Sequence, residues 1–307
     1  MREGDDMAVV PHTNRHLKPG SDLLTGLRRS MALMLGVNRR FLASMLMLLA
    51  VLGFGVLGPL ILGRVDPLQI VGGLYDTPSA VAWLGTDNFG RDVFIQLMYG
   101  ARTSLIIGLV AGAVATLIGV LIGTIASYRG GIVEEALMAL TNVVITIPSI
   151  VILILLSIAF SSRSIVVMGV IIGVTGWPWT ARAVRAQTSS LRTREHVDIA
   201  RMSGAGTLSL IFEEIIPYML SYIVMAFVLQ LNIGILQEAA LSMLGLGPNQ
   251  VVSLGIMLQW ALLWESVRTG AWWAFVPPTL LLTLIAFSLL LLQASIDELF
   301  NPRLRRS

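Results

Sequence analysis

The chain has 307 residues, of which 55% are hydrophobic and 13% charged, and its formal net charge is +3. Ordinary soluble chains are about 25% charged, and a soluble interior could not hide this much apolar surface, so the composition indicates a polytopic membrane protein. The absence of cysteine removes disulfides, thiolate metal centres and cysteine nucleophiles from consideration.

Residues 1–40 form a polar, basic tail. Two of the three histidines, His12 and His16, lie in it among Pro11, Pro19 and Gly20. They read as solvated residues, and no metal site is expected. A single lysine, Lys18, stands among the 21 basic residues, and Pro19 follows it. A phosphate-binding loop needs a lysine after its glycine-rich turn to reach the outer phosphates. "SGAGT" (Ser203–Thr207) has the glycines without the lysine, so this chain is not itself a P-loop ATPase.

The first long apolar run, 41–62, starts too late and runs too long for a signal peptide. It is read as a retained first span. Residues 63–102 follow as an extracytoplasmic segment containing "LGTDNFGRD" (Leu84–Asp92). Further runs able to cross about 30 Å of hydrocarbon fall at 103–127, 137–160, 165–181, 215–236 and 275–294. Residues 103–296 therefore form a core of five spans, and the fold class is all-α with about six transmembrane helices. The runs are continuously apolar instead of alternating, which favours helices over barrel strands. "GLVAG" (Gly108–Gly112) and "GVLIG" (Gly119–Gly123) repeat small residues at the spacing that lets helix backbones approach, and they are read as packing contacts. Pro148, inside the third span, removes a backbone hydrogen bond and is expected to kink it.

Orientation follows from the basic residues. Sixteen of the 21 fall in the N-terminal tail, at Arg129, between Arg182 and Arg201, and in the tail at 297–307. The other five are Arg64, Arg91, Arg102, Arg163 and Arg268. This bias places both termini and the connection at 182–214 in the cytoplasm. That connection cannot cross the bilayer. Arg185, Arg192, Arg194, Glu195, Asp198 and Arg201 would together cost roughly 15–20 kcal/mol on an insertion scale. "REHVDIARMS" has helical spacing, with Val197, Ala200 and Arg201 on the face of Gly204. Gly204 and Gly206 are suited to ending the helix. "TLSLIFEE" resumes as a second short helix, and Pro217 opens the next span. These residues alone are compatible with a helix–turn–helix or with an ordinary solvated loop.

The stretch "DIARMSGAG…EEIIP" resembles the cytoplasmic signature of bacterial ABC-importer permeases, a Glu-Ala-Ala triplet followed at fixed spacing by Gly and Pro. Asp198, Ile199 and Ala200 stand for the triplet, Gly204 for the glycine and Pro217 for the proline. Asp for Glu, Ile for Ala, and Glu214 depart from the pattern. "LGTDNFGRDVFIQLMYGARTSL" (Leu84–Leu105), "QEAALSMLGLG" (Gln237–Gly247) and "DELFNPRLRR" (Asp297–Arg306) are similar to segments of the C-type permease of dipeptide, oligopeptide and nickel importers. The resemblance extends over nearly the whole chain from Phe41.

It implies a type I ABC-importer permease fold in a bacterial or archaeal cytoplasmic membrane. The implied partners are a second, homologous permease, two separate ATP-binding subunits and an extracytoplasmic solute-binding protein, with no nucleic acid. The chain would bind no cofactor itself and catalyse nothing, since ATP and Mg would sit on the ATPases. Docking would run through Asp198, Ile199, Ala200, Arg201, Gly204, Ala205, Gly206 and Pro217.

A secondary transporter would place ionisable groups at the bilayer midplane and show inverted repeats, neither of which is seen. A membrane enzyme would need convergent nucleophile, base or metal ligands, and His196 has no cysteine and no second histidine near it in sequence. For cargo, the resemblance puts peptides first. Oligosaccharides come next, because "PNQVVSLGIMLQWALLWESVRTGAWW" (Pro248–Trp273), with Trp260, Trp264, Trp272 and Trp273, departs from the usual peptide pattern. Asn142, Gln230, Asn232, Gln237 and Glu238 either line a translocation path or hydrogen-bond between helices.

Overall fold

A computed structural model describes residues 39–63, 65–160 and 163–300. The N-terminal tail with His12, His16 and Lys18, and the end of the C-terminal tail, lie outside the described residues. The described chain is helical, with only two isolated bridges, Ile70 to Arg91 and Thr86 to Asp92. In order, the helices are α1 (Arg39–Ile61), α2 (Val93–Arg129), α3 (Gly131–Thr146), α4 (Ser149–Ala159), α5 (Ile165–Leu191), α6 (Glu195–Met202), α7 (Thr207–Met243), α8 (Leu254–Leu263) and α9 (Trp272–Phe300). Five of them are long and apolar enough to cross a membrane, and the pair α3–α4 makes a sixth if counted as one span.

Helix α2 is the axis of the bundle, with α5 along one side and α7 along another. It starts ten residues before the apolar run, because Asp92 caps it. The carboxylate accepts from the N–H groups of Phe94 (2.8 Å) and Ile95 (3.3 Å). Burial pushes that carboxyl above the usual range, with the two backbone N–H groups pulling the other way. The four glycines of the small-residue repeats divide between the neighbours. Gly108 and Gly112 face Ile235 and Leu231 of α7, while Gly119 and Gly123 face Thr180 and Ala181 of α5. A Cβ on Gly123 would stand 2.5 Å from the Ala181 carbonyl oxygen and 2.9 Å from the Arg185 nitrogen. The helices touch backbone to backbone there.

Three elements differ from the sequence expectation. First, the bend expected at Pro148 is a full break, at which α3 and α4 meet at 85°. Pro148 lacks an N–H, and its ring forces Ile147 out of the helical region (φ −86°, ψ 126°), so the helix stops and restarts. Second, α5 runs ten residues beyond its apolar stretch to Leu191, and Arg182 and Arg185 are helical. Their partners lie on α3. Arg182 donates to Asn142 Oδ1 (2.6 Å), and Arg185 pairs with Glu134. Third, Pro217 does not open a span. The helical column runs unbroken from Thr207, with a π turn at Leu210–Ile215 and a 3-10 turn at Pro217–Met219. Widening the preceding turn takes up the missing donor and the ring bulk of the proline.

Three buried clusters hold the bundle. One joins α1, α2, α7, α8 and α9 through residues such as Val51, Leu97, Ile235, Leu254 and Leu289. A second, with Ile107, Leu153, Met168 and Ile172, seats α4 and α5 on α2. The third, with Val184, Leu191, Val197, Leu210, Ile215 and Met219, lies under α6 at one end of the bundle.

Candidate functional site

The connection between α5 and α7 is a small lobe with its own core. Val197 of α6 is fully buried against Val184 and Leu191 of α5 and Leu210, Ile215 and Met219 of α7, with Ala200 and Ala205 packed at the edge. Short side chains at 200 and 205 therefore let α6 lie close to α7. The turn that follows is a left-handed helix stop. Gly204 has φ +85°, its N–H donates to Arg201 O (3.1 Å), and Ala205 N–H donates to Ala200 O (3.1 Å). Gly206, by contrast, has φ −71° and serves as the N-cap of α7, so only one of the two glycines needs its special freedom.

The buried face leaves Ile199, Met202, Leu208 and Phe212 exposed on the outer side of the lobe. Beside them Asp198 and Arg201 pair at 2.8 Å, also exposed. Seven of the eight residues expected to dock a partner thus gather on α6 and its turn. Pro217 stands apart, beyond the π turn. The only histidine outside the tail, His196, stacks on Tyr218 with ring centroids 4.2 Å apart. Arg192 donates to the Ser127 carbonyl, which ties the base of the lobe to the end of α2.

Farther along the bundle, the corner at Pro148 forms one wall of a cavity of about 250 Å³ between α3–α4, α5 and α7. Its walls are mostly aliphatic, with Ser149, Thr175, Gln230 and Gln237 as polar groups. A second hollow of about 360 Å³ lies next to it, and Trp179, Gln230 and Ile233 line both. Gln230 is held from one end only. Its Nε2 donates to Gly176 O (3.0 Å) and Thr180 Oγ1 (2.8 Å). Gln237 Nε2 donates to Ser149 Oγ at 3.3 Å. Because Pro148 carries no N–H, the carbonyl of Val144 in the same wall loses its helical donor.

The other polar residues in the spans face elsewhere. Asn142 accepts from Arg182, and Asn232 is buried beside neither hollow, its Oδ1 without a partner. Glu238 is fully buried and accepts from three hydroxyls: Ser104 of α2 (2.8 Å), Ser242 of α7 (2.6 Å) and Ser253 at the start of α8 (2.7 Å). Ser104 and Ser253 in turn accept from the N–H groups of Leu254 (3.2 Å) and Ile256 (3.1 Å). One carboxyl group thereby joins three helices. Sequence reasoning missed Trp179 and the serines around Glu238. The "GWPW" at 176–179 was a visible signal for the former, whereas serines at 104 and 253 share no spacing with residue 238.

The tryptophans of α8, of α9 and of the turn between them fix the segment that precedes α2. Trp273 Nε1 donates to Thr86 O (3.0 Å), and Trp260 meets Phe89 edge to face at 5.8 Å. Tyr75 Oη donates to Trp264 O at 3.0 Å.

Residues 115–306 match the family described as binding-protein-dependent transport system inner membrane component. The chain is 31% identical over 270 residues to the dipeptide transport system permease protein DppC of Bacillus subtilis (strain 168), covering 88% of this chain and 83% of that protein. It is 32% identical over 231 residues to the oligopeptide transport system permease protein OppC of the same organism, covering 75% and 74%. Among solved structures, inward-facing conformations of the MetNI methionine ABC transporter are similar, with 20% identity and a TM-score of 0.49 over 66% of this chain and 96% of that one.

Proposed function

The chain belongs to the family of binding-protein-dependent transport system inner membrane components, and we propose that it carries peptides across the membrane as one half of a paired permease. It is a multi-pass permease of an ABC-type importer in the bacterial cytoplasmic membrane. The peptide assignment rests on the names of the relatives that align along most of its length, which handle dipeptides and oligopeptides.

In this reading the lobe of α6 is the handle through which separate ATPases act. The supporting observation is its construction: Val197 keys α6 into α5 and α7, while Ile199, Met202, Leu208 and Phe212 present an apolar face that is exposed among the described residues. An exposed patch of this kind on a monomer marks an interaction site. The positive-inside bias puts the lobe in the cytoplasm. ATP and Mg belong to the ATPases, and this chain contributes motion only. A push on α6 reaches α7 through their common core, and α7 lines the hollows at Gln230 and Gln237. The path would run along these hollows, with Gln230, Gln237, Ser149 and Trp179 meeting the cargo. Asn142 and Glu238 join helices instead, and Asn232 faces neither hollow. The two states that ATP binding alternates differ in how the lobe is gripped.

The test is reconstitution with the second permease, two ATPases and the binding protein in liposomes. Uptake of labelled di- to pentapeptides that requires ATP and the binding protein is expected. Uptake driven by an ion gradient in liposomes holding this chain alone would overturn the proposal.

A further inference from the structure

At the end of the bundle opposite α6 lies an open pocket of about 290 Å³, lined among others by Arg91, Arg163, Asn249, Gln250, Gln259 and Trp260. It draws on four separate segments, and each cation in it is held in place from behind. The Arg91 guanidinium lies 4.3 Å from the Phe89 ring centroid and 5.1 Å from that of Trp260. The Arg91 backbone is fixed by Asp87, whose Oδ1 accepts its N–H at 2.9 Å. Arg163 donates to Gly245 O (3.1 Å), while its own carbonyl accepts from Asn249 N–H (2.9 Å). Gln250 sits in the left-handed region at φ +59°, a conformation that non-glycine residues adopt where the surroundings demand it.

Two guanidinium groups are thus stationed in one pocket, and among the described residues no carboxylate forms an ion pair with either. The nearby acids are engaged elsewhere. Asp87 accepts from Phe89 N–H, Arg91 N–H and Gln96 Nε2. Asp92 caps α2, and Glu265 pairs with Arg268. Arg91 Nε is buried with no partner at all. A buried donor without a partner is uncommon and calls for an explanation. The two guanidinium groups and the side-chain amides that line the open pocket suit a carboxylate, whose two oxygens can take several N–H donors at once.

We infer that the Arg91–Arg163 pocket receives an acidic side chain of the extracytoplasmic binding protein and so registers that protein on the permease. This rests on the transport reading above, which places this end outside. A carboxylate of the cargo is the other source of the same chemistry. The pocket has no lining residue in common with either hollow of the proposed path, which favours the docking partner. Charges on the rim of an interface govern encounter and register, and their influence fades as salt screens them.

The experiment titrates peptide-loaded binding protein against the ATPase rate of the assembled complex in nanodiscs. Replacing both residues by glutamine (R91Q/R163Q) is expected to raise the half-maximal concentration at least tenfold and to flatten its salt dependence. The charge-retaining pair R91K/R163K is expected to raise it less than threefold, and it carries the test if the glutamine pair does not assemble. An unchanged half-maximal concentration and salt slope in the glutamine pair would overturn the inference. So would a shift that appears with free-acid peptides and vanishes with C-terminally amidated ones, because the carboxylate would then be the cargo's. A wild-type complex that no binding protein stimulates would overturn the transport reading itself, and the docking site with it.

Discussion

Replacing Glu238 tests whether one buried acceptor holds α2, α7 and α8 together. In Glu238→Ala the hydroxyls of Ser104, Ser242 and Ser253 all lose their acceptor. Ser242 has an escape, since a helical serine can donate to the carbonyl four residues back, as Ser295 does to Leu291 O at 2.7 Å. Ser253, the N-cap of α8, has no carbonyl four residues back in its helix, and Ser104 can turn to its own helix only by giving up the bond it accepts from Leu254 N–H, so each keeps one buried group unpaired. Two orphaned donors cost about 1–3 kcal/mol each, and the emptied space adds about 1–2 kcal/mol at roughly 24 cal/mol per Å³. Release of the desolvated carboxyl offsets part of this, so the net loss is about 3 kcal/mol. In Glu238→Gln the volume is kept and one hydroxyl need only turn from donor to acceptor, a loss of about 1 kcal/mol. Thermal unfolding in detergent, followed by tryptophan emission, should fall by roughly 6–12 °C for alanine and about 2–4 °C for glutamine. An alanine variant within two degrees or so of wild type, or a glutamine variant as unstable as the alanine one, would refute the reasoning from acceptor count.

Gly123→Ala should lower the same midpoint, since its Cβ would meet the Ala181 carbonyl at 2.5 Å, and overpacking of this kind costs about 1–3 kcal/mol. Gly204→Val, at φ +85°, should leave the protein inserted but sever ATP hydrolysis from uptake. Gly206→Ala, at φ −71° with open space around it, should be silent in both assays, and equal effects of the two substitutions would remove the turn from the coupling mechanism. Asp92→Asn keeps the cap of α2 and sheds the burial of a charge, so its midpoint should match wild type, while Asp92→Ala should lose about 1 kcal/mol. Because the chain has no cysteine, Met202→Cys gives a single label site, and it should react with impermeant maleimide only from the cytoplasmic side.

The helices were legible because apolar runs of spanning length say little else, and the packing role of the glycine repeats followed from their spacing. What escaped was decided by single residues whose meaning depends on surroundings. Pro148 and Pro217 look alike in sequence, yet one ends a helix at 85° and the other is absorbed by a π turn. Neighbouring packing chooses between these outcomes. The extension of α5 to Leu191 was hidden by its charge. The charge barred this stretch from the bilayer without showing where it goes, and Arg182, Arg185 and Arg192 find partners on α3 and α2 that only folding brings near. Among Gln230, Asn232, Gln237 and Glu238 of α7, only Glu238 stood out along the chain, by its charge. The helix phase separates Gln230 and Gln237, at the hollows, from Glu238, turned toward Ser104 and Ser253.

The proline corner has one more effect on what a passage beside it could choose. With Val144's carbonyl short of its helical donor and Gln230 anchored by its amide nitrogen, the hollow is lined by backbone and carboxamide groups beside the hydroxyls of Ser149 and Thr175. If the proposed path runs here, acceptors of this kind would meet the repeating N–H groups of a peptide more than the substituents that distinguish one sequence from another. A channel walled in this way would be generous by construction, and any discrimination among cargoes would have to be made before they reached it.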